Sequence, residues 1–197
     1  MSSTNRGYDR HASDYYITPQ YEIKKFWRKF TEIHGDMKNS VILDPCAGGD
    51  ESHEMSYPTV LSKWSPSYEI TTFDIREDSL AQYKGINYLD VNISDYLHSE
   101  PDIIFSNPPF CDAMDFVKKS LKDVKEGGYV IMLLRLNFLG SGARNEWLRN
   151  NMPYEIYVHG KRMSFTENGK TDSIEYAHFV WKKGYKGITN LHLLEFK

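Results

Sequence analysis

The chain has little that would hold it together covalently or fix it to a membrane. Two cysteines, Cys46 and Cys111, stand among 197 residues, too few for a disulfide framework and without metal-binding spacing. No apolar run approaches the roughly 20 residues of a membrane span. The polar start, Met1-Ser2-Ser3-Thr4-Asn5-Arg6, has no apolar core of the kind a secretory signal needs, so a cytoplasmic location is expected. Neither sign of charge dominates: 24 Lys and Arg against 27 Asp and Glu give a net charge of −3. That balance does not advertise a nucleic-acid binder, although a local basic face can coexist with an acidic remainder. Internal repeats and low-complexity linkers are missing too. What is there is 40% hydrophobic and 14% aromatic residues, enough to exclude disorder and to build a single domain over residues 1–197.

Residues 1–18 are polar and read as a loose N-terminal arm that becomes ordered towards Tyr15-Tyr16-Ile17-Thr18-Pro19. Residues 19–197 read as an α/β core. Ile23, Phe26, Trp27, Phe30 and Ile33 recur at helical spacing opposite Lys24, Lys25, Arg28 and Lys29, and Gly35 ends the pattern. Short apolar runs then alternate with helical or loop segments: Val41 to Leu43, Ile70 to Phe73, Ile86 to Leu89, Ile103 to Phe105 and Tyr129 to Leu136. Tyr154 to Val158 and Tyr176 to Trp181 look like two more strands, with a short one around Leu191 to Phe196. Ala113, Phe116, Val117, Leu121 and Val124 trace an amphipathic crossover helix closing at Gly127-Gly128. The alternation implies a Rossmann-like, doubly wound, mostly parallel seven-stranded sheet with an antiparallel C-terminal hairpin and helices on both faces.

Three stretches carry chemistry. Val41-Ile42-Leu43 runs into Asp44-Pro45-Cys46-Ala47-Gly48-Gly49-Asp50, a strand entering a glycine turn, where open α/β sheets bind nucleotide-like ligands. After the next strand comes Asp74, placed to accept the hydroxyls of a ribose. The long interval before it contains Pro58 and Pro66, which implies an inserted loop. Asp90 repeats the arrangement after Ile86-Asn87-Tyr88-Leu89 and is placed to reach an adenine amino group. The third stretch is Asn107-Pro108-Pro109-Phe110, directly after a buried-strand pattern. Two prolines end the strand and hold the Asn side chain and the neighbouring carbonyls in one geometry.

Together these residues resemble the class I S-adenosylmethionine-dependent methyltransferases, and the tetrapeptide resembles the branch that methylates adenine N6. The resemblance runs from about Tyr15 to Trp181. It implies that Asp44, Pro45, Cys46, Ala47, Gly48 and Gly49 hold the methionine part of the cofactor, Asp74 its ribose and Asp90 its adenine. Tyr15, Tyr16, Thr18 and Pro19 would cap its carboxylate end, and Asn107 borders it. The family's turn ends on a glycine where this chain has Asp50, which bears on cofactor affinity.

The implied chemistry needs in-line geometry rather than a metal. An exocyclic amine shares its lone pair with the ring and must be pyramidalised before it attacks. The Asn107 side-chain oxygen and the Pro108 carbonyl can each accept one of its N–H groups, gaining strength as charge develops on nitrogen. Phe110 offers a stacking face, and a base in a duplex would have to be flipped out. Substrate contacts are expected from loops around 137–150 and 160–173, through Arg135, Arg144, Arg149, Arg162 and Lys170. DNA is the expected partner. RNA adenine methylation, glutamine methylation in a protein, and a catalytically silent cofactor-binding subunit remain alternatives, the last motivated by Asp50.

Overall fold

The fold is that of a computed structural model, which describes residues 16–165 and 173–195. Tyr15 and Lys170, with Gly169, lie outside the described residues. Helix α1 (Gln20–His34) opens after Pro19, whose carbonyl accepts the N–H groups of Glu22 at 3.0 Å and Ile23 at 3.3 Å, donors that a helix start otherwise leaves open. Ile23, Phe26, Trp27 and Phe30 are fully buried, each stabilising the fold by roughly 2–3 kcal/mol. Ile33 keeps the spacing but is 42% exposed, so the apolar stripe stops one turn before the helix does.

The strands are β1 (Val41–Asp44), β2 (Glu69–Asp74), β3 (Tyr83–Lys84), β4 (Ile103–Ser106), β5 (Tyr129–Arg135), β6 (Glu155–His159), β7 (Tyr176–Lys182) and β8 (Asn190–Leu194). They form one sheet in the order β3-β2-β1-β4-β5-β7-β6-β8. The first five pair in parallel, β7 runs antiparallel to both β5 and β6, and β8 lies parallel to β6. The sheet has eight strands rather than seven, with the short β3 at one edge and the expected C-terminal strand, β8, at the other.

Ile86 to Leu89 is not a strand. Gly85 turns the chain out of β3 with φ of 63°, a conformation open to glycine. Asn87 then caps a 3-10 turn over Tyr88–Asp90 by accepting the Leu89 N–H at 3.2 Å.

Successive strand residues point to opposite faces, and the two faces carry separate cores. Ile42, Ile103, Phe105 and Ile131 pack with α1 and α2 (Ser56–Trp64), whereas Leu43, Ile104, Val130 and Met132 pack with α3 (Ala113–Asp123) and α4 (Gly142–Asn150). Pro58 sits in the first turn of α2, where a helix has no use for its missing N–H. The extra length before Asp74 is therefore a turn over residues 50–55, not a loop around the prolines. The chain leaves β1 towards β2 on one side and places β4 on the other, so a crevice opens at the carboxyl ends of β1 and β4.

Candidate active site

That crevice is a cleft of about 940 Å³ including its open mouth. Its floor is the turn after β1. Gly48 and Gly49 have φ of 68° and 75°, and a Cβ on Gly49 would come within 2.9 Å of Met55 Cγ. The turn is fixed from beneath by two carboxylates. Asp44 Oδ1 accepts from the Cys46 N–H at 3.1 Å and from Ser106 Oγ at 2.6 Å. Asp74 Oδ2 accepts from the Gly48 N–H at 2.8 Å and Oδ1 from the Arg76 N–H at 2.8 Å. Each Asp74 oxygen keeps a second lone pair, and the residue lines the cleft.

Asp44 is buried, and Oδ2 has no partner among the described residues. Burial pushes its carboxyl up to about 7, against the bonds from Ser106 and Cys46, and the nearby Asp74 adds to the rise. Burial and the same two carboxylates raise the Cys46 thiol far above its ordinary value, so it lines the cleft as a neutral S–H. Asp50 has a local task. Its carboxylate accepts from the Ser52 N–H at 2.8 Å and lies 2.9 Å from His53 Nδ1, and its backbone is bridged to His53. A tight turn, and not a helix, follows Gly49, and α2 starts only at Ser56.

Asn107 follows β4 and closes the opposite wall with Pro108 and Pro109. Its Nδ2 donates to Thr18 Oγ1 at 3.0 Å, while Oδ1 is buried without a partner among the described residues. Thr18 is buried, so it braces Asn107 as well as lining the cleft. Tyr16 lines the cleft, whereas Pro19 starts α1 and is not on the wall.

Phe110 lies just outside this wall, stacked on Tyr16 at 6.1 Å between centroids and covered by the Arg135 guanidinium at 4.4 Å. It borders a second depression lined by Leu134, Arg135, Asn137, Phe138 and Arg144. The Arg144 guanidinium is occupied by the Phe138 carbonyl at 2.8 Å. Arg149 is on neither wall and donates to Asn145 at 2.9 Å on α4. Arg162 is paired with Glu175 through bonds of 3.0 and 2.9 Å.

Asp90 is displaced from the position expected of it. It ends the 3-10 turn, exposed, and accepts from Asn87 Nδ2 at 2.6 Å. The cleft wall there is Ile86, Asn87, Tyr88 and Leu89. Sequence reasoning also passed over Ile75, Arg76 and Asp112, which line the cleft. Arg76 Nη2 donates to the Gly49 carbonyl at 2.6 Å. Its place two residues after the Asp74 acid is the one signal that could have marked it.

No family model and no curated protein sequence matches the chain. Solved structures do match. A proposed class I S-adenosylmethionine-dependent methyltransferase of Listeria monocytogenes aligns at TM-score 0.62 and 14% identity, over 90% of this chain and 65% of its own. The type I restriction-modification methyltransferase subunit of Streptococcus thermophilus aligns at TM-score 0.64 and 14% identity, over 87% of this chain and 45% of its own. A proposed RNA methyltransferase of Pyrococcus horikoshii aligns at TM-score 0.61 and 14% identity, over 92% and 94%. The chain therefore spans less than two thirds of the first two and nearly all of the third. The class I methyltransferase fold is common to all.

Proposed function

We propose that this chain, built on the class I methyltransferase fold, uses S-adenosylmethionine to methylate adenine N6 in DNA. The observation that carries this reading is the Asn107 amide: its nitrogen is tied back to Thr18 while its oxygen is buried and unpartnered at the cleft wall. A buried acceptor without a donor costs about 1–3 kcal/mol. An amine N–H entering beside Pro108 would remove that cost.

The cleft suits the cofactor. Gly49 leaves no room for a Cβ, Asp74 faces the cleft, and Ile75, Ile86 and Phe116 give a purine apolar walls. Bound there, the cofactor supplies a sulfonium-activated methyl group. The chain's own work is positional: Asn107 Oδ1 and the Pro108 carbonyl hold the two amine hydrogens, drawing the nitrogen lone pair out of conjugation and towards the methyl carbon. Phe110 and Tyr16 give a flipped base an aromatic flank.

Two of the neighbouring structures bear on the polymer. The type I restriction-modification likeness favours DNA, and the RNA methyltransferase of matching size keeps RNA as the second reading. Transfer of tritiated methyl groups to DNA, RNA and protein in parallel, with identification of the product nucleoside, tests the proposal. N6-methyladenine in DNA is expected, and label confined to protein would overturn it.

A further inference from the structure

Beside the Asn107 wall, the Phe110 ring rests on a pair of residues contributed by two central strands. Arg135 ends β5 and stands directly opposite Tyr176, the first residue of β7. Residues directly opposite in an antiparallel pair emerge on the same face of the sheet, and both of these reach Phe110. The Arg135 guanidinium lies 4.4 Å from the Phe110 centroid, and the Tyr176 ring lies 5.5 Å from it at 39°. Tyr176 is buried together with Leu133, which precedes Arg135 by two residues and shares its face of β5. The bed under Phe110 is therefore part of the sheet, while the exposed Tyr16 flanks the ring at 6.1 Å.

Arg135 also belongs to the neighbouring depression. Its Nε is buried without a partner among the described residues, and the side chain lines the depression with Asn137, Phe138 and Arg144. No acidic side chain among the described residues lines it. Arg144 is fixed over the Phe138 ring at 4.6 Å by donating from Nε and Nη2 to the carbonyls of Phe138 and Asn137, at 2.8 and 3.4 Å. Two guanidinium groups thus line one depression without a carboxylate, whereas Arg162 and Arg76 each stand beside one. A guanidinium can lie flat on an aromatic ring and still offer N–H groups at its edge to a phosphate. An ammonium is a point charge and has no plane to lay on the ring.

We infer that Arg135 is a positioning residue that couples DNA-backbone binding to base capture: its plane fixes the Phe110 ring that flanks the flipped adenine, and its edge takes a phosphate of the same strand. This rests on the DNA adenine methyltransferase reading above. It goes beyond a phosphate contact, because a cation serving affinity alone has no need of the ring. An engaged phosphate holds the guanidinium, and with it Phe110, in the arrangement that receives the base. Loss of the planar group is therefore felt after DNA has bound, and not only in how tightly it binds.

NMR of the full chain without DNA tests the first half. The nuclear Overhauser contact between the Phe110 and Tyr176 rings is expected in the wild type and is expected to weaken in R135K. A contact as strong in folded R135K as in the wild type would overturn the positioning role. Kinetics on a duplex carrying the site that methyl transfer identifies test the second half. R135K keeps the charge, so the KM for DNA is expected within about threefold of wild type, while kcat at saturating DNA falls by about tenfold or more. R135K/F110L is expected to have the kcat of F110L alone, since a ring that is gone cannot be positioned. Full kcat in R135K, or losses that add in the double variant, would leave Arg135 a phosphate contact alone and overturn the coupling. If the wild type methylates none of DNA, RNA and protein, the functional reading fails, and the NMR result still decides whether Arg135 holds Phe110.

Discussion

The side-chain amide of Asn107 donates to the hydroxyl of Thr18 at 3.0 Å, joining residues 89 positions apart in the chain. One comes from the entry to α1 and the other from the end of β4, so the bond ties the N-terminal segment to the candidate reaction centre. Replacing Asn107 by Ala removes the acceptor and is expected to abolish methyl transfer, with cofactor affinity unchanged within a few fold. T18V is nearly isosteric and removes only the tether. It should lower kcat by about tenfold through loss of orientation while leaving the cofactor Kd intact. Single-turnover transfer and calorimetry check both, and full activity in N107A would falsify the clamp.

Asp44 gives a pH-dependent prediction. Its carboxyl is raised to about 7 in the folded chain by burial, against about 3.9 in an unfolded one. Protonated Asp44 therefore favours folding. That contribution is complete below the unfolded value and is lost as pH rises through about 7. At most it is on the order of 4 kcal/mol. D44N cannot ionise, so the gap in Tm between D44N and wild type should move in favour of D44N from pH 5 to pH 8. Thermal melts without ligand at both pH values check it, and a gap independent of pH would remove Asp44 as the source.

The glycine turn is the third test. Gly49 has φ of 75° and no room for a Cβ beside Met55. G49A combines a left-handed backbone cost of roughly 1–2 kcal/mol with a clash that pushes the turn into the cleft. Cofactor affinity should fall at least tenfold. D50G, by contrast, loses only the local bonds to Ser52 and His53 and should change affinity by less than about threefold. Titration calorimetry of both variants makes the comparison. A larger effect at Asp50 would restore the idea that this departure from the family pattern weakens cofactor binding.

The parts of the site readable in the sequence are those fixed by local patterning. β1 into its glycine turn, β2 into Asp74 and β4 into Asn107 each place a residue at a strand end, and the strand end is set by a short apolar run. Asp90 is off the cleft wall for the complementary reason. Gly85 and the Asn87 cap bend the segment into a 3-10 turn, and a shift of one residue there moves a side chain from the wall to solvent. The partner of Asn107 was illegible because it depends on a contact across the fold. Thr18 looked like part of a cofactor cap. On α1 the core follows its periodicity as far as Phe30, and at Ile33 the pattern outlasts the surface it packs on.

The basic residues divide by what they already hold. Arg162 is committed to Glu175, Arg144 to the Phe138 carbonyl and Arg149 to Asn145. Arg135 differs: it lies over the Phe110 ring with Nε buried and unpartnered among the described residues, at the depression beside the Asn107 wall. A phosphate next to a flipped nucleotide would complete its hydrogen bonding. R135A should therefore weaken DNA binding and reduce the slope of log affinity against log salt by about 0.7–0.9, the contribution of one phosphate contact. R149A and R162A should leave the slope within error, since neither cation faces the cleft. R135K separates charge from geometry: the ammonium restores the salt slope but not the planar stack on Phe110. Fluorescence anisotropy over a salt series measures the four variants beside the wild type. Equal slopes for R135A and wild type would place the polymer elsewhere on the surface.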